Sequence, residues 1–348
     1  MMPVAFREDE DRKNPAGKAP PGALQDDPPR NTPSAVRSLL RWLDAHAFSD
    51  AFAARDPHRI EWWRVAPFAL IHLLVLLVLW VGISPIALAV AVGLYVVRMF
   101  FVTAFYHRYF SHRSFKTGRL MQFFGAAVCC SAGQRGPLWW SAHHRHHHAH
   151  ADTPEDIHSP RLQGFWWSHM LWFLSNGCCG TRFRNVRDWM RFPELVFLDR
   201  FDWIPFIALG GLLFAAGEAL RALAPASGTS GAQLVVWGFI VSTVVLYHGT
   251  YTINSLSHRF GRRRYPTADD SRNNFGLALL TLGEGWHNNH HYYSGSTRQG
   301  FYWWELDLTF YALKAMSWVG LVRDLREPPE SVLREGRAAK AALSGRPR

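Results

Sequence analysis

The sequence predicts an all-α integral membrane protein, with four transmembrane helices in two hairpins and a helical cap on one side. Three observations lead there. Two long runs of the 348 residues carry no charge, basic residues gather in the segments those runs would leave on one side, and fifteen of the 18 His fall between His107 and His291.

From Val65 to Val97 no Asp, Glu, Lys or Arg occurs over 33 residues, and Ala222 to His258 adds a second such run of 37. A bilayer core takes about 20 apolar residues per helix, so either run is too long for one span. The first breaks at Gly82-Ile83-Ser84-Pro85, which gives helices over 65–83 and 86–106 joined by a tight uncharged turn. The second pair is read at 203–221 and 232–253, joined by Ala224-Pro-Ala-Ser-Gly-Thr-Ser-Gly231. Glu218 and Arg221 lie near the end of the third helix, where long side chains reach the interface. Arg98 falls inside the second helix and is expected to reach polar groups near the bundle or to face a protein-lined cavity. Leu120–Trp140 is largely apolar but interrupted by Gln122, Ser131, Gln134 and Arg135. It is read as one interfacial or partly embedded helix, because a fifth span would put the following His cluster on the other side.

Two hairpins bring the N-terminus, the 107–200 block and the 256–348 block to the same side. These blocks carry twelve basic against six acidic residues and fourteen against nine, while residues 1–60 balance at nine each. Positive loops stay inside, so this side, with both termini, is expected to be cytoplasmic; in a bacterium the membrane is the cell inner membrane. The net charge of +11 then reads as contact with membrane lipids, whose anionic headgroups it suits, and no nucleic acid is expected. The four Cys form two adjacent pairs without C-x-x-C spacing, which excludes a disulfide framework and a thiolate metal site. No basic n-region followed by a short apolar stretch opens the chain, so no secretory signal is expected. Residues 1–35, rich in Pro, Gly and charge, read as a disordered tail. Residues 36–64 read as cytoplasmic or interfacial helices, 65–325 as the membrane domain, and 326–348 as a polar C-terminal tail.

The His residues supply the chemistry. His107-Arg-Tyr-Phe-Ser-His112 closes the second span, His144-Arg-His-His147-His148 lies in the first polar block, and His287-Asn-Asn-His290-His291 follows the fourth span. His258 ends that fourth span, four residues after Asn254. Positions i, i+3 and i+4 share one helix face, so each H-x-x-H-H triplet can converge on a point. His107 and His112 stand about 140° apart at 3.6 residues per turn, which suits a helix end or two adjacent metals. Nine imidazoles exceed what one ion takes, since a structural zinc closes with four ligands. Two ions with four or five each use the set and leave room for water or dioxygen. The cap is therefore expected to hold a His-rich dimetal site, and imidazole softness alone does not choose among Fe, Cu, Zn and Ni. His143, His146 and His150 fall outside the shared spacing, while His169 and His248 read as ordinary packing residues.

The three His groups, their order and their placement beside two hairpins resemble the membrane-bound fatty acid desaturases, and within them the Δ9 acyl-CoA (stearoyl-CoA) type. The stretches that carry the likeness are Gly136-Pro-Leu-Trp-Trp140, Asp156-Ile-His-Ser-Pro160, Gly164-Phe-Trp-Trp-Ser-His169, Asn254-Ser-Leu-Ser-His258 and Gly283-Glu-Gly-Trp-His-Asn-Asn-His-His291. They cover roughly 65–325. The resemblance implies that His107, His112, His144, His147, His148, His258, His287, His290 and His291 hold two iron ions, and that Asn254 meets one iron through water. It also implies a mushroom-shaped fold and a bent tunnel for a fatty acyl substrate carried on CoA, a carrier protein or a lipid. Dioxygen and two electrons then remove two hydrogens to leave a cis double bond and water. An unactivated methylene is neither acidic nor electrophilic, so side-chain acid–base catalysis does not reach it and a metal–oxygen oxidant is required. The chain shows no haem domain and no dinucleotide glycine motif. Electrons are thus expected from a separate donor, a ferredoxin or a b-type cytochrome with a reductase. The 33 Arg against 5 Lys suggest a GC-rich bacterial source and hence the ferredoxin. Arg262-Arg-Arg264 could dock that donor or meet lipid headgroups.

Ligating His commonly donates its second N–H to a carboxylate, which nominates Asp152, Asp156 and Glu284; Glu155 reads better as part of a solvated turn. Trp140, Trp166, Trp167 and Trp286 are candidates for the tunnel wall or the lipid interface. Ala91 and Tyr95, one turn apart on the second helix, would limit chain length. Two rival readings remain. A diiron membrane hydroxylase of an alkyl or acyl chain would give an alcohol, and a His-rich metal-binding membrane protein would need ligands along the spans, where His72, His248 and Glu218 are widely spaced.

Overall fold

The computed structural model describes residues 40, 42–47 and 56–343; the tail expected over 1–35 lies outside the described residues. In chain order the principal helices are α1 (Trp62–Val81), α2 (Pro85–Ser111), α3 (Arg119–Cys130), α4 (Pro137–His150), α5 (Pro193–Arg200), α6 (Trp203–Leu223), α7 (Gly231–Ser255), α8 (Phe275–Leu280), α9 (His287–Tyr292), α10 (Leu308–Trp318) and α11 (Glu330–Leu343). Among the described residues four helices, α1, α2, α6 and α7, are long and apolar enough to cross a membrane. Leu73, Leu79, Trp80, Leu88, Val92, Leu212 and Phe214 point outward from them and are exposed. That inside-out pattern suits hydrocarbon as solvent.

Local chemistry starts and ends the spans where the sequence signals it. Gly82 adopts φ +66 and Ser84 accepts the Ala87 amide at 3.1 Å, with Pro85 at the first helical position. At the second hairpin Ser230 and Gln233 form a reciprocal capping box. Gly217 and Gly231 let α6 and α7 touch: a Cβ on Gly217 would stand 2.5 Å from the Ser230 carbonyl oxygen. Arg98 is 1 % exposed and anchors the bundle, donating to Thr243 Oγ1 at 2.8 Å, Ser242 Oγ at 2.7 Å and the Ser131 carbonyl at 3.2 Å. Of the two roles its sequence position allowed, the structure takes the bonded one.

α2 is 27 residues long, about 40 Å at 1.5 Å per residue. It outruns a bilayer core of about 30 Å and carries its end into the cap. From Val102 to Ser111 it widens into a π-helix. The apolar stretch after it is two helices, not the single one expected over Leu120–Trp140. α3 shows Leu120, Phe123 and Phe124 on its exposed face and buries Gln122, Gly125, Ala126, Cys129 and Cys130. Gly133 and Arg135, at φ +68 and +71, then break the chain before Pro137 restarts it as α4. The cap closes with an antiparallel pair, Lys116–Thr117 against Val322–Arg323. The segment read as a C-terminal tail carries α11, whose Val332 and Leu333 carbonyls accept from Tyr265 and Tyr302.

A nine-histidine candidate metal centre

The polar ends of α2, α4, α7 and α9 meet in the cap. α4 is helical across His144, His147 and His148, and α9 across His287, His290 and His291, but neither triplet converges on one point as its spacing allows, because His147 and His290 each join the cluster opposite to their two neighbours. His258 follows α7 in a turn. His107 and His112 would point apart on a regular α-helix. The π-helical hydrogen bond from the His112 amide to the His107 carbonyl, 3.2 Å long, brings their rings to 4.9 Å. Both belong to one cluster.

The nine ring systems divide into two groups: His107, His112, His144, His148 and His290, and His147, His258, His287 and His291. Within either group one nitrogen per residue lies within 4.8 Å of all the others. His290 Nε2 stands 2.9 Å from His107 Nε2 and 3.0 Å from His148 Nε2; His112 Nε2 is 2.8 Å from His144 Nε2, and His258 Nε2 is 3.1 Å from His287 Nε2.

Four carboxylates surround the groups. Asp156 lies 3.0 Å from His147 Nδ1, Asp152 3.1 Å from His258 Nδ1 and Asp269 3.0 Å from His291 Nδ1, while Glu284 pairs with His107 Nδ1. A carboxylate only accepts, so each of these Nδ1 atoms carries the proton and each Nε2 is a bare lone pair. His291 Nε2, His287 Nδ1 and His290 Nδ1 have no hydrogen-bond partner. One proton on His290 Nε2 cannot serve both His107 and His148. Buried lone pairs facing one another at about 3 Å repel, whereas two nitrogens each about 2.0–2.1 Å from an ion stand that far apart naturally. The donor set fits two cations. The four carboxylates also bring a formal charge that offsets two divalent ions, since Arg108 is matched by Asp307 at 2.9 Å.

Electrostatics favour ligation over protonation at six of the nine rings, while at His147 burial is outweighed by Asp156, which raises it. Burial, then neighbouring imidazoles, hold His112, His144, His148, His287 and His290 well below the usual imidazole range. Burial takes His291 down to about 4 against the pull of Asp269. Burial alone would raise Glu284, yet His107 and Arg108 bring it down to about 2, so it stays a carboxylate.

Two cavities reach the centre. The larger, about 520 Å³, opens between α1 and α6 beside the half-exposed Trp42 and Trp63 and ends at Trp140, His144, Thr250 and Asn254. The smaller, about 50 Å³, shares those four residues and runs past His107, His147, His258 and His287 to Met99 and Val102. Asn254 therefore sits where the cavities join. Trp140 lines both, its ring stacked 5.0 Å from His144. The walls of these two cavities do not include Ala91, Tyr95 or Trp286. Tyr95 donates its hydroxyl to the Leu280 carbonyl at 2.6 Å and packs behind Met99. Trp286 donates its indole to the Leu306 carbonyl at 2.8 Å, and Ala91 is buried in the bundle. Glu155 is exposed. Asp269 and Gln299, which donates to Glu284 at 2.8 Å, were missed in the sequence because each lies far along the chain from the His it serves. The only local signal is the acidic pair Asp269–Asp270 between two His groups.

Among the described residues, four helices able to cross a membrane under a polyhistidine cap define the class as a membrane protein with a candidate metal centre. The chain belongs to the fatty acid desaturase family, whose model matches residues 83–318. It is 37% identical over 249 residues to Delta-9 acyl-lipid desaturase 1 of Arabidopsis thaliana, covering 70% of this chain and 77% of that one. Acyl-CoA 5-desaturase AL21 of Anemone leveillei is 37% identical over 236 residues, 67% of this chain and 69% of the relative. The sn-1 stearoyl-lipid 9-desaturase of Anabaena variabilis is 36% identical over 226 residues, 65% of this chain and 78% of its own.

Proposed function

We propose that this protein inserts a cis double bond, at the Δ9 position, into a saturated acyl chain at a non-haem diiron centre. The observation that carries the reading is the division of nine imidazoles into groups of five and four at the junction of two apolar cavities. Relatives named for Δ9 acyl-lipid and stearoyl-lipid substrates support the position and leave the acyl carrier open. His107, His112, His144, His148 and His290 would hold one iron, and His147, His258, His287 and His291 the other. Two irons held there would supply, with dioxygen and two electrons from a separate ferredoxin-like or b-type cytochrome donor, the oxidising power that removal of hydrogen from a methylene pair requires. The chain's own residues do the rest. Asn254 holds water at the junction and Trp140 closes the wall over His144. Asp152, Asp156, Asp269 and Glu284 keep the ligand protons on Nδ1, so that Nε2 faces the metal. The basic cap side is assigned to the cytoplasm by the same charge asymmetry that sets loop orientation.

The test is the fatty acid profile, by gas chromatography–mass spectrometry, of a host lacking its own desaturase and supplied with a competent donor. A new cis monoene is expected from the intact chain and none from His147→Ala at equal membrane expression. An alcohol in its place would favour a hydroxylase. Chain length is expected to be gauged at the closed end of the smaller cavity. Met99→Ala, which also frees space in front of Tyr95, should shift the product toward longer chains, and an unchanged profile would remove the gauge.

A further inference from the structure

A line of aromatic rings leads from the third His group to the surface. Tyr292 follows His291 directly, and its ring lies parallel to that of Tyr265, with centroids 4.3 Å apart at 9°. The Tyr265 hydroxyl is 3.4 Å from that of Tyr302, and Tyr302 stacks on Trp304 at 4.8 Å and 8°. Trp304 meets Trp303 at 5.6 Å, and Trp303 is 80% exposed. Each phenol has an acceptor. Tyr292 donates to Glu335 at 2.5 Å, Tyr265 to the Val332 carbonyl at 3.1 Å and Tyr302 to the Leu333 carbonyl at 2.8 Å.

We propose that this chain carries stray oxidising equivalents out of the metal centre, a protective redox route in addition to desaturation. The inference rests on the oxygen-activating reading above. When dioxygen is activated with no acyl chain in the cavity, an oxidant strong enough for a C–H bond stands among imidazoles and Trp140. Tyr and Trp rings yield an electron more readily than any other uncharged side chain in reach. Tyr292 gives one electron to the centre, which is reduced by one unit, and its phenolic proton to Glu335, leaving a neutral tyrosyl. An electron from the Trp304–Trp303 pair refills it by tunnelling across the Tyr302 and Tyr265 rings, whose phenols keep their protons on the Leu333 and Val332 carbonyls, and the Tyr292 proton returns from Glu335. The surface indole, oxidised by one electron, loses its N–H proton to water and is reduced by an external thiol. Without a thiol it adds dioxygen and keeps a mass mark. Electrons bound inward from the donor are too weakly held to need ring oxidation, so the route runs outward.

The full protein in lipid nanodiscs, iron-loaded and reduced, is exposed to dioxygen without acyl substrate or thiol and with catalase present, then mapped by peptide mass spectrometry. Oxygen addition is expected at Trp303 and to a much smaller extent at Trp318, which is 77% exposed but outside the line of rings. Tyr265→Phe keeps the ring and removes the phenol. It should lower the Trp303 mark several-fold and raise oxidation of the His287–Tyr292 peptide. Trp304→Phe, at a half-exposed position, should do the same if Tyr265→Phe folds poorly. Equal marking of Trp303 and Trp318, or a Trp303 mark that ignores both variants, would overturn the proposal. Monoene formation by the same preparation, given substrate, separates the two readings. Olefin with unmarked Trp303 overturns the aromatic route alone, and neither olefin nor mark overturns both.

Discussion

Arg108→Met is expected to destabilise the protein by about 3–5 kcal/mol, the usual result of removing one partner from a buried ion network. Arg108 is 1% exposed, and its guanidinium meets Glu284 at 2.9 Å, Asp307 at 2.9 Å and the Thr297 carbonyl at 2.8 Å. Removing it leaves two buried carboxylates facing each other's neighbourhood with no cation between them. The damage should spread to the metal centre, because Glu284 also holds His107 and takes the Gln299 amide. Arg108→Lys keeps the charge without the two-pronged fork and should fall between. Thermal unfolding in nanodiscs together with iron content by mass spectrometry reads both effects. A midpoint matching the parent for Arg108→Met would show that the network contributes nothing to the fold.

Asp269→Asn and Asp156→Asn are each expected to cut iron affinity or desaturation about 10–100-fold, the range typical of carboxylates that orient a ligating imidazole. Asp269 also accepts the Ser271 amide at 2.8 Å, and Asp156 the amides of Asp152 and His158 at 2.9 and 3.2 Å. The amide keeps the shape and can still accept, but it loses the charge that makes the imidazole a strong donor to a cation. Its N–H₂ group can turn toward Nδ1 and invert the tautomer. Glu155→Gln, at an exposed site bonded to Thr153, is the control and should change neither quantity. Wild-type iron content in Asp269→Asn would show that this carboxylate is only packed beside His291.

Much of this was legible from residue order, for stated physical reasons. A hydrocarbon core tolerates few charges, so the uncharged runs marked α1, α2 and α7 to within a few residues, while α6 lies almost wholly before the second run and carries Glu218 and Arg221. The i, i+3, i+4 spacing marked the two His triplets because both lie in α-helices, but not their division, since the i+3 member of each faces the other group. Other features depend on geometry that a linear pattern does not carry. A turn of about 3.6 residues sets His107 and His112 apart, and a π-helix places them together instead. Asp269 is 22 residues from His291, with a chain reversal between. The partners of Arg98 lie on α7 and on the break after α3, so its sequence showed a buried charge without its solution. The cavity runs between α1 and α6, elements with ordinary apolar composition, and bypasses Ala91 and Tyr95 because Tyr95 is tied to Leu280.

The wide turn that closes α2 keeps its information as a residue count. Bonding changes there from i+4 to i+5 over ten residues, so the compass bearing of His107 depends on how many residues precede it. Losing one residue between Thr103 and Tyr106 would let the stretch relax to α-helix, where His107 and His112 stand about 140° apart and no longer share one cluster. Exchanging one apolar side chain there for another turns nothing. Drift along this segment is therefore free in spelling and strict in length, and its variants should differ by replacement far more than by insertion or loss.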